Sequence, residues 1–308
     1  MRILITGGLG HIGSYILENI NKIKIVKQIY IIDDLSTSRY CSMFNLPKTK
    51  KKIYFIQKDL SIKNALKKFK KVDVVINLAS LTDAAGSVKV KNKIWKNNIG
   101  IFENVIQYCA SNSAKLMHIS TTSVYGEQKG LVDESCKKMK PKSPYANIKL
   151  KEESILKKNK YNIKYITYRF GTISGVSKGM RFHTAVNKFS FNSILGLHLP
   201  VWKSMMNKPR PYLSLRDAFK VIKFTLERNF FSNEIFNIIS EHLTVKQIIT
   251  FLKKFGKKVR VNHVQSQLIN QFSYKISNNK FEKKGFVLKS LIKDDIKSTL
   301  KIFNGISS

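Results

Sequence analysis

Tyr145 and Lys149 are the residues whose types and spacing most directly suggest catalysis. They lie four positions apart in the segment YANIK, and residues i and i+4 share one face of a helix. There a lysine ammonium can stabilise a tyrosinate and lower the pKa of the phenol from about 10 toward the working pH. The spacing therefore predicts a tyrosine that acts as general base on a hydroxyl group. A surface Tyr and Lys with no chemical role is the alternative.

A glycine-rich turn near the amino terminus has the spacing of a phosphate-binding loop. Gly7, Gly10 and Gly13 follow a predicted buried strand, Arg2–Thr6, and lead into a predicted helix, Ile12–Ile23. Residues without a Cβ permit a tight turn and let a pyrophosphate approach the backbone N–H groups at the helix start. A turn that only permits close packing is the alternative.

Asp33 ends the next predicted strand, Ile29–Asp33, 20 positions after Gly13. This is where dinucleotide-binding folds place the carboxylate that holds the adenosine ribose hydroxyls. A carboxylate disfavours a 2′-phosphate, so the sequence predicts NAD, with NADP as the alternative because Arg39 is nearby. His11, inside the turn, is expected to fill space at the helix start rather than to catalyse.

The elements that must position these residues alternate between strand and helix, which predicts an α/β fold with a doubly wound parallel Rossmann sheet. The further predicted strands are Ile53–Gln57, Val72–Leu78, Leu116–Thr121, Ile163–Phe170 and a late Phe236–Ile239. The further predicted helices are Trp95–Ala110, Tyr145–Leu156, Arg216–Asn229, Val245–Phe255 and Ile292–Phe303. We expect an NAD-binding domain over 1–170, joined by the late strand. A smaller substrate-binding region over 171–308 should pack on it, with 171–211 forming loops over a ligand.

Charge and cysteine content limit the class of protein. The formal net charge is +37, but only eight of the 56 basic residues are Arg, and the lysines are spread along the chain. We therefore expect a solvated lysine surface and no specific nucleic-acid site, with binding to a polyanion or an anionic membrane as the alternative. Three cysteines without metal-ligand spacing, no signal peptide and no run of about 18 apolar residues predict a soluble cytoplasmic protein without a metal. Cys109 is expected in the core.

Taken together, the motifs resemble those of the extended short-chain dehydrogenase/reductases, in particular the NAD-dependent epimerase/dehydratase family. The resemblance is carried by TGGLGHIGS at 6–14, IIDDLSTS at 31–38, NLAS at 77–80, STTSVYG at 120–126, YANIK at 145–149 and RFGTISG at 169–175. It is patchy beyond these motifs. Pro211 stands where the family has Asp, and Thr172 stands where nucleotide-sugar 4-epimerases commonly have Asn. The sequence therefore names neither the sugar nor the base.

The resemblance implies a role for each matching residue. Catalysis would use Thr121 to hydrogen-bond the reacting oxygen, Tyr145 as base and Lys149 as its partner. Contacts with NAD would come from Gly7, Gly10, His11, Ile12, Gly13, Asp33, Asp34, Asp59, Leu60, Leu78, Ala79, Tyr145 and Lys149, and Asn98 would support the loop near the nicotinamide. The nucleotide sugar would be bound by Thr172, Arg181, Asn187 and Arg210, with Arg210 gripping the diphosphate.

The resulting interpretation is a nucleotide-sugar epimerase of the 4-epimerase type, in surface polysaccharide biosynthesis by analogy with the family. A reductase or dehydratase of the same family is the alternative, and dehydration ranks low because Thr122 and Ser123 stand where the dehydratases carry an Asp-Glu pair. From a different class, a catalytically idle basic Rossmann module would bind polyanions. A homodimer through the helices Trp95–Ala110 and Tyr145–Leu156 is expected from the family alone.

Overall fold

The computed structural model describes residues 1–82, 91–256, 258–264, 274–303 and 305–306. The strands, in chain order, are β1 (Arg2–Thr6), β2 (Gln28–Asp33), β3 (Lys52–Gln57), β4 (Val74–Asn77), β5 (Lys115–Thr121), β6 (Leu131–Val132), β7 (Tyr165–Phe170), β8 (Thr172–Ser174), β9 (Leu199–Val201), β10 (Arg210–Ser214), β11 (Ile235–Ile238), β12 (Glu241–Leu243), β13 (Val261–His263) and β14 (Lys275–Ile276). The α-helices are α1 (His11–Glu18), α2 (Lys91–Asn112), α3 (Pro144–Lys158), α4 (Ala185–Ile194), α5 (Leu215–Glu227), α6 (Val245–Lys254), α7 (Asn279–Glu282) and α8 (Ile292–Ile302). None of the helices in this part of the chain has the length and apolar character to cross a bilayer.

The main sheet has seven strands in the order β11-β7-β5-β4-β1-β2-β3, and every neighbouring pair is parallel. The chain winds outward in one direction from β1 to β3 and then in the other from β4 to β11. This confirms the predicted doubly wound parallel sheet, including its late strand. Such a sheet binds ligands outside the carboxyl ends of its strands, where the winding direction reverses, which is between β1 and β4 here.

Both faces of this sheet are covered, as parallel sheets require. Residues that alternate along one strand face opposite sides, so Ile3 and Ile5 of β1 join the core under α1 and α5. Leu4 belongs to the core on the other face, together with Phe102 of α2 and Leu156 of α3. Cys109 is fully buried in that second core, as predicted. The near-continuous apolar strands are explained by burial on two sides.

The second half of the chain carries more regular structure than the sequence predicted. The expectation of loops over 171–211 is wrong, because β8, α4, β9 and β10 all fall within it. The strands β12, β10 and β8 form a small sheet, and α4, α6 and α8 share a separate core. These strands are only three to five residues long, too short for their alternation to stand out among Gly, Ser and Asn.

One helix boundary also differs from the prediction. The helix predicted over Ile12–Ile23 ends at Glu18, and a single 3-10 turn follows over Ile20–Lys22. The side chain of Asn19 donates to the carbonyl of Tyr15 at 2.9 Å, one turn back, at the point where the α-helix stops. Ile20 and Ile23 remain buried, so the apolar pattern continues although the helix does not. The other predicted elements begin and end within four residues of those in the structure.

Candidate active site

A cleft of about 530 Å³ opens at the carboxyl ends of the central strands. It takes lining residues from the main sheet and from the second half of the chain. Of the predicted site residues, the cleft brings together Gly7, Gly10, His11, Ile12, Gly13, Asp33, Asp34, Asp59, Leu60, Leu78, Ala79, Thr121, Tyr145, Lys149, Thr172, Arg181 and Arg210. Asn98 and Asn187 do not line it.

The two asparagines lie behind the cleft wall instead. The buried amide of Asn98 accepts from the N–H of Leu81 at 2.9 Å and donates to its carbonyl at 3.1 Å. Asn187 is also buried and donates to the carbonyl of Arg181 at 2.9 Å. Both side chains are engaged with backbone groups of segments that do line the cleft. They hold those segments in place rather than facing a ligand.

The glycine-rich turn shows why side chains are excluded there. Gly7 has φ +62°, and a Cβ on it would lie 2.7 Å from the backbone of Ala79. A Cβ on Gly13 would lie 2.3 Å from the carbonyl oxygen of Gly8. Gly10 precedes α1 and supplies no side-chain cap, so the N–H groups of the first turn, which lack intrahelical acceptors, can bind an anion. The turn fits a dinucleotide pyrophosphate.

Asp33 is fixed by backbone donors at the end of β2. Its Oδ2 accepts from the N–H of Leu9 at 3.1 Å, and its Oδ1 accepts from the N–H of Leu35 at 3.0 Å. Burial raises the pKa of this carboxyl, and the two N–H groups partly offset that rise. Each oxygen keeps a lone pair for a ribose hydroxyl. Arg39 also lines the cleft and donates to Thr37 Oγ1 at 3.1 Å.

His11 does more than fill space, contrary to the sequence-based expectation. Its Nε2 lies 2.8 Å from the carbonyl oxygen of Gly175, which belongs to the second half of the chain. Burial lowers the pKa of His11 to about 3, so the imidazole is neutral and Nε2 must carry the hydrogen that it donates. This buried side chain joins the glycine-rich turn to the segment after β8.

Thr121, Tyr145 and Lys149 line the same cleft. Thr121 ends β5, and its Oγ1 accepts from the N–H of Ser123 at 3.2 Å. The helix α3 places the other two, since Ser143 caps its amino terminus with an Oγ that accepts from the N–H of Ala146 at 3.2 Å. Lys149 is almost fully buried, and its Nζ lies 5.9 Å from the centre of the Tyr145 ring.

Lys149 acts on Tyr145 in the predicted direction, but the predicted net fall in the pKa of the phenol is wrong for the protein chain itself. Burial raises the pKa of Tyr145 above its ordinary value, and the Lys149 and Arg181 cations lower it only in part. Lys149 Nζ also lies 2.9 Å from a carboxylate oxygen of Glu152, whose negative charge opposes ionisation of the phenol. The sequence analysis missed Glu152, although it lies three positions after Lys149 on a helix face, which is the available signal.

A second carboxylate, Glu153, ties α3 to the sheet. It accepts from Arg169 Nε at 3.0 Å and Nη2 at 2.6 Å, and from Ser120 Oγ at 2.5 Å. All three side chains are buried. Such a bidentate pair has a fixed geometry, so it sets the position of α3, and with it Tyr145, relative to Thr121.

The charged residues of the cleft are unevenly distributed. Among the described residues that line it, the acidic ones are Asp33, Asp34 and Asp59, which follow β2 and β3. The second half of the chain adds the cations Arg181, Lys188 and Arg210. Arg181 contacts Thr82 Oγ1, and Arg210 begins β10. The second half therefore offers a cationic surface to an anionic ligand.

Comparison with known proteins agrees with this geometry. Residues 3–238 match the model of the NAD dependent epimerase/dehydratase family. An uncharacterised UDP-glucose epimerase, YtcB of Bacillus subtilis, is 25% identical over 88% of this chain and 87% of its own length. The ADP-L-glycero-D-manno-heptose-6-epimerase of Brachyspira hyodysenteriae is 26% identical over 85% of this chain and 83% of its own.

The fold has solved counterparts. The NAD complex of UDP-glucose 4-epimerase from Thermus thermophilus superposes with a TM-score of 0.87 at 24% identity, covering 99% of each chain. NAD is the cofactor of the matching family. This chain belongs to the NAD-dependent epimerase/dehydratase family, whose members act on nucleotide sugars.

Proposed function

We propose that this enzyme is a nucleotide-sugar epimerase of the 4-epimerase type. The observation that carries the proposal is that Thr121, Tyr145 and Lys149 line one cleft, to which Arg181 and Arg210 also contribute. A hydroxyl-bearing sugar joined to a diphosphate matches this arrangement of a base beside two cations. The glycine-rich turn and Asp33 would hold NAD, which when bound accepts a hydride from the sugar carbon and gives it back.

The chain's own residues would perform the proton chemistry. Tyr145, as tyrosinate, removes the proton of the sugar hydroxyl and later returns it. The Thr121 hydroxyl donates a hydrogen bond to the same oxygen as carbonyl character develops there. Arg181 and Arg210 hold the diphosphate, so that the sugar can turn without leaving the cleft.

A reductase of the same family is the second candidate, because the same base and threonine also serve one-way hydride transfer. Dehydration is less favoured, since it needs an acid and a base beside the sugar. Thr122 and Ser123 follow Thr121 there; Thr122 is buried and Ser123 offers only a hydroxyl. Net consumption of reduced cofactor would separate a reductase from an epimerase.

The idle basic module is disfavoured because the three predicted catalytic side chains converge in one cleft. The dependence of binding and turnover on salt concentration distinguishes the idle module from the enzyme. Polyanion binding weakens steeply with salt through counterion release, whereas turnover by the half-buried Tyr145 would change little. Steep salt dependence with no turnover of any nucleotide sugar would favour the module.

The assembly and location remain proposals. We propose a homodimer through the outer faces of α2 and α3, which pack on each other and present Trp95, Pro144 and Leu150 around a shallow surface pocket. Light scattering on the purified protein would give the mass directly. Cys41, Cys109 and Cys136 are free thiols, which supports a reducing, cytoplasmic location.

The experiment that tests the proposed function begins with the nucleotide that co-purifies with the protein, identified by mass spectrometry. A panel of nucleotide sugars is then incubated with enzyme and NAD. We expect interconversion of two epimers of at least one sugar. A panel in which Tyr145→Phe turns over as fast as the parent protein would contradict the proposal.

A further inference from the structure

A buried carboxylate and a buried imidazole lie directly against Lys149, outside the cleft lining. The Oε2 atom of Glu152 is 2.9 Å from Lys149 Nζ and 3.2 Å from His118 Nε2. The exposed fractions of Lys149, Glu152 and His118 are 3%, 1% and 0%. Both contacts are within hydrogen-bonding distance of Oε2, and water cannot screen the Lys149–Glu152 pair because both side chains are buried.

A row of polar side chains orients His118 toward Glu152. Thr6 Oγ1 donates to Asn77 Oδ1 at 2.7 Å, which turns the amide nitrogen of Asn77 toward His118 Nδ1, 3.5 Å away. Because Nδ1 faces a donor, the hydrogen of the neutral imidazole is assigned to Nε2, on the side of Glu152. The ring of His118 also packs edge-on against Phe102 at 5.1 Å.

The same row reaches the cleft at its other end. Thr6 Oγ1 accepts from the N–H groups of Leu78 and Ala79 at 3.2 and 3.3 Å, and both residues line the cleft. The polar row thus crosses the sheet from β1 through β4 and β5 to α3. It fixes Glu152 with respect to the segments around the cleft.

Among the charged groups nearby, Glu152 is the main negative charge that offsets the positive charge of Lys149. On α3, the adjacent Glu153 is neutralised by Arg169 of β7. From the second half of the chain, Arg181 acts on Tyr145. Burial disfavours the charged form of Glu152, but Lys149 and His118 outweigh it, so the pKa of this carboxyl lies below its ordinary value and the group is anionic.

We propose that Glu152 is a positioning residue for catalysis: His118 holds its carboxylate against Lys149, and the carboxylate fixes where the ammonium rests and how much of its charge acts on the Tyr145 hydroxyl. The proposal deepens the proposed function and rests on Tyr145 as its base. With this counter-charge beside it, Lys149 offsets only part of the rise that burial causes in the pKa of Tyr145. Glu152 and His118 touch neither the sugar nor the cofactor site.

The test is a titration of Tyr145 in the full-length protein without any sugar. Tyrosinate absorbance is followed against pH, and the curve of the same protein carrying Tyr145→Phe is subtracted. Glu152→Gln keeps the shape and removes the charge, so we expect Tyr145 to titrate about one pH unit lower. Glu152→Asp keeps the charge and should return the titration toward the parent value. Glu103→Gln, at an exposed site on α2, is the matched control and should change nothing.

Two further variants and an activity assay complete the design. His118→Gln frees the Glu152 carboxylate and should lower the pH at which Tyr145 titrates by a smaller amount. This variant allows the proposal to be tested even if Glu152→Gln does not fold. Unchanged Tyr145 titration in either variant would overturn the proposal. If no nucleotide sugar is turned over by the parent protein, the proposed function fails while the titration still decides the role of Glu152. If a sugar is turned over, the limb of kcat against pH should shift in Glu152→Gln as the titration does.

Discussion

The two ends of the cleft are lined by different kinds of groups. One end lies near β2 and β3, and the other is formed by the second half of the chain. The first uses backbone N–H groups of the glycine-rich turn and both acidic and basic residues, namely Asp33, Asp34 and Asp59 with Arg39 and Lys58. The second uses Arg181, Lys188 and Arg210, which α4, β10 and their connections bring over the sheet. Between them stand Thr121, Tyr145 and Lys149.

We propose that this difference separates recognition of the cofactor from recognition of the substrate. A backbone cradle has a fixed shape, because a Cβ at Gly7 or Gly13 would collide with main-chain atoms. A set of long basic side chains can be exchanged one at a time without disturbing the sheet. We infer that the first end is specific for a dinucleotide, whereas the second end sets which anionic ligand is turned over.

The largest expected effect comes from the wall between the two ends. Tyr145→Phe removes one oxygen and preserves the ring, so turnover should fall by roughly 10²–10⁴, the usual contribution of a positioned general base. Folding and NAD affinity should stay close to those of the parent protein. Steady-state kinetics and an NAD titration measure the two quantities. Tyr161→Phe, at an exposed residue, is the control. A Tyr145→Phe variant with most of its activity would leave the cleft as a binding site only.

Lys149→Ala should reduce turnover and also NAD affinity, since the resemblance gives Lys149 a cofactor contact that Tyr145→Phe does not remove. Comparing this variant with Tyr145→Phe distinguishes the contribution of the base from that of its cationic partner. Equal NAD affinities in the parent and the Lys149→Ala variant would remove Lys149 from the cofactor site.

The next effect tests the cationic end alone. Arg210→Ala should weaken binding of a nucleotide-sugar diphosphate by about 1.5–3 kcal/mol, the range for a charge-assisted hydrogen bond, while NAD affinity is unchanged. Calorimetric titrations with each ligand measure the two affinities. Arg228→Ala, at an exposed position after α5, is the matched control. If Arg210→Ala binds the sugar nucleotide as the parent does, Arg210 belongs to the surface.

His11 tests how the two parts are joined. Its pKa in the folded chain is about 3, against about 6.5 when unfolded, so below pH 6.5 the unfolded chain binds one more proton. The contribution of neutral His11 to the free energy of unfolding is therefore fully present above pH 6.5 and is lost as the pH falls toward 3. Between pH 7.5 and pH 5 the loss amounts to about 2 kcal/mol. Urea unfolding at both pH values should show this loss in the parent and not in His11→Gln. The same pH dependence in both proteins would rule out a buried neutral imidazole at this position.

The smallest effect concerns cofactor choice at the backbone-built end. Because Asp33 should repel a 2′-phosphate, NAD should bind at least about tenfold more tightly than NADP, about 1.4 kcal/mol. Fluorescence titrations with the two reduced cofactors give the ratio, and Asp33→Asn should narrow it. Equal affinities in the parent protein would show that Arg39, which lines the same part of the cleft, overrides Asp33.

The features that sequence predicted well depend on short spacings. The glycine turn, Asp33 and the Tyr145–Lys149 pair each follow from residues within one βαβ unit or one helix turn, where chain geometry fixes the distances. The seven-stranded sheet follows from repeated alternation of apolar strands and amphipathic helices. In both cases local pattern and tertiary structure agree.

The features that sequence did not predict depend on contacts between distant segments. The segment 171–211 has short strands that pair with β12 and β13, and nothing local shows those partners. Asn187 is a polar residue of the right kind, but its buried amide donates to the backbone carbonyl of Arg181. Glu152 is three positions after Lys149 in the sequence, but the position of its carboxylate also depends on His118 of β5, 34 positions earlier.

The most direct test of the central claim is proton NMR of the sugar during turnover in heavy water with NAD. If Tyr145 moves only the hydroxyl proton while the carbon-bound hydrogen leaves and returns as hydride, two epimers should reach equilibrium. The inverted carbon should retain its original hydrogen, and no reduced cofactor should accumulate or be consumed. Conversion in one direction with stoichiometric loss of reduced cofactor, or a product lacking the elements of water, would contradict the epimerase account.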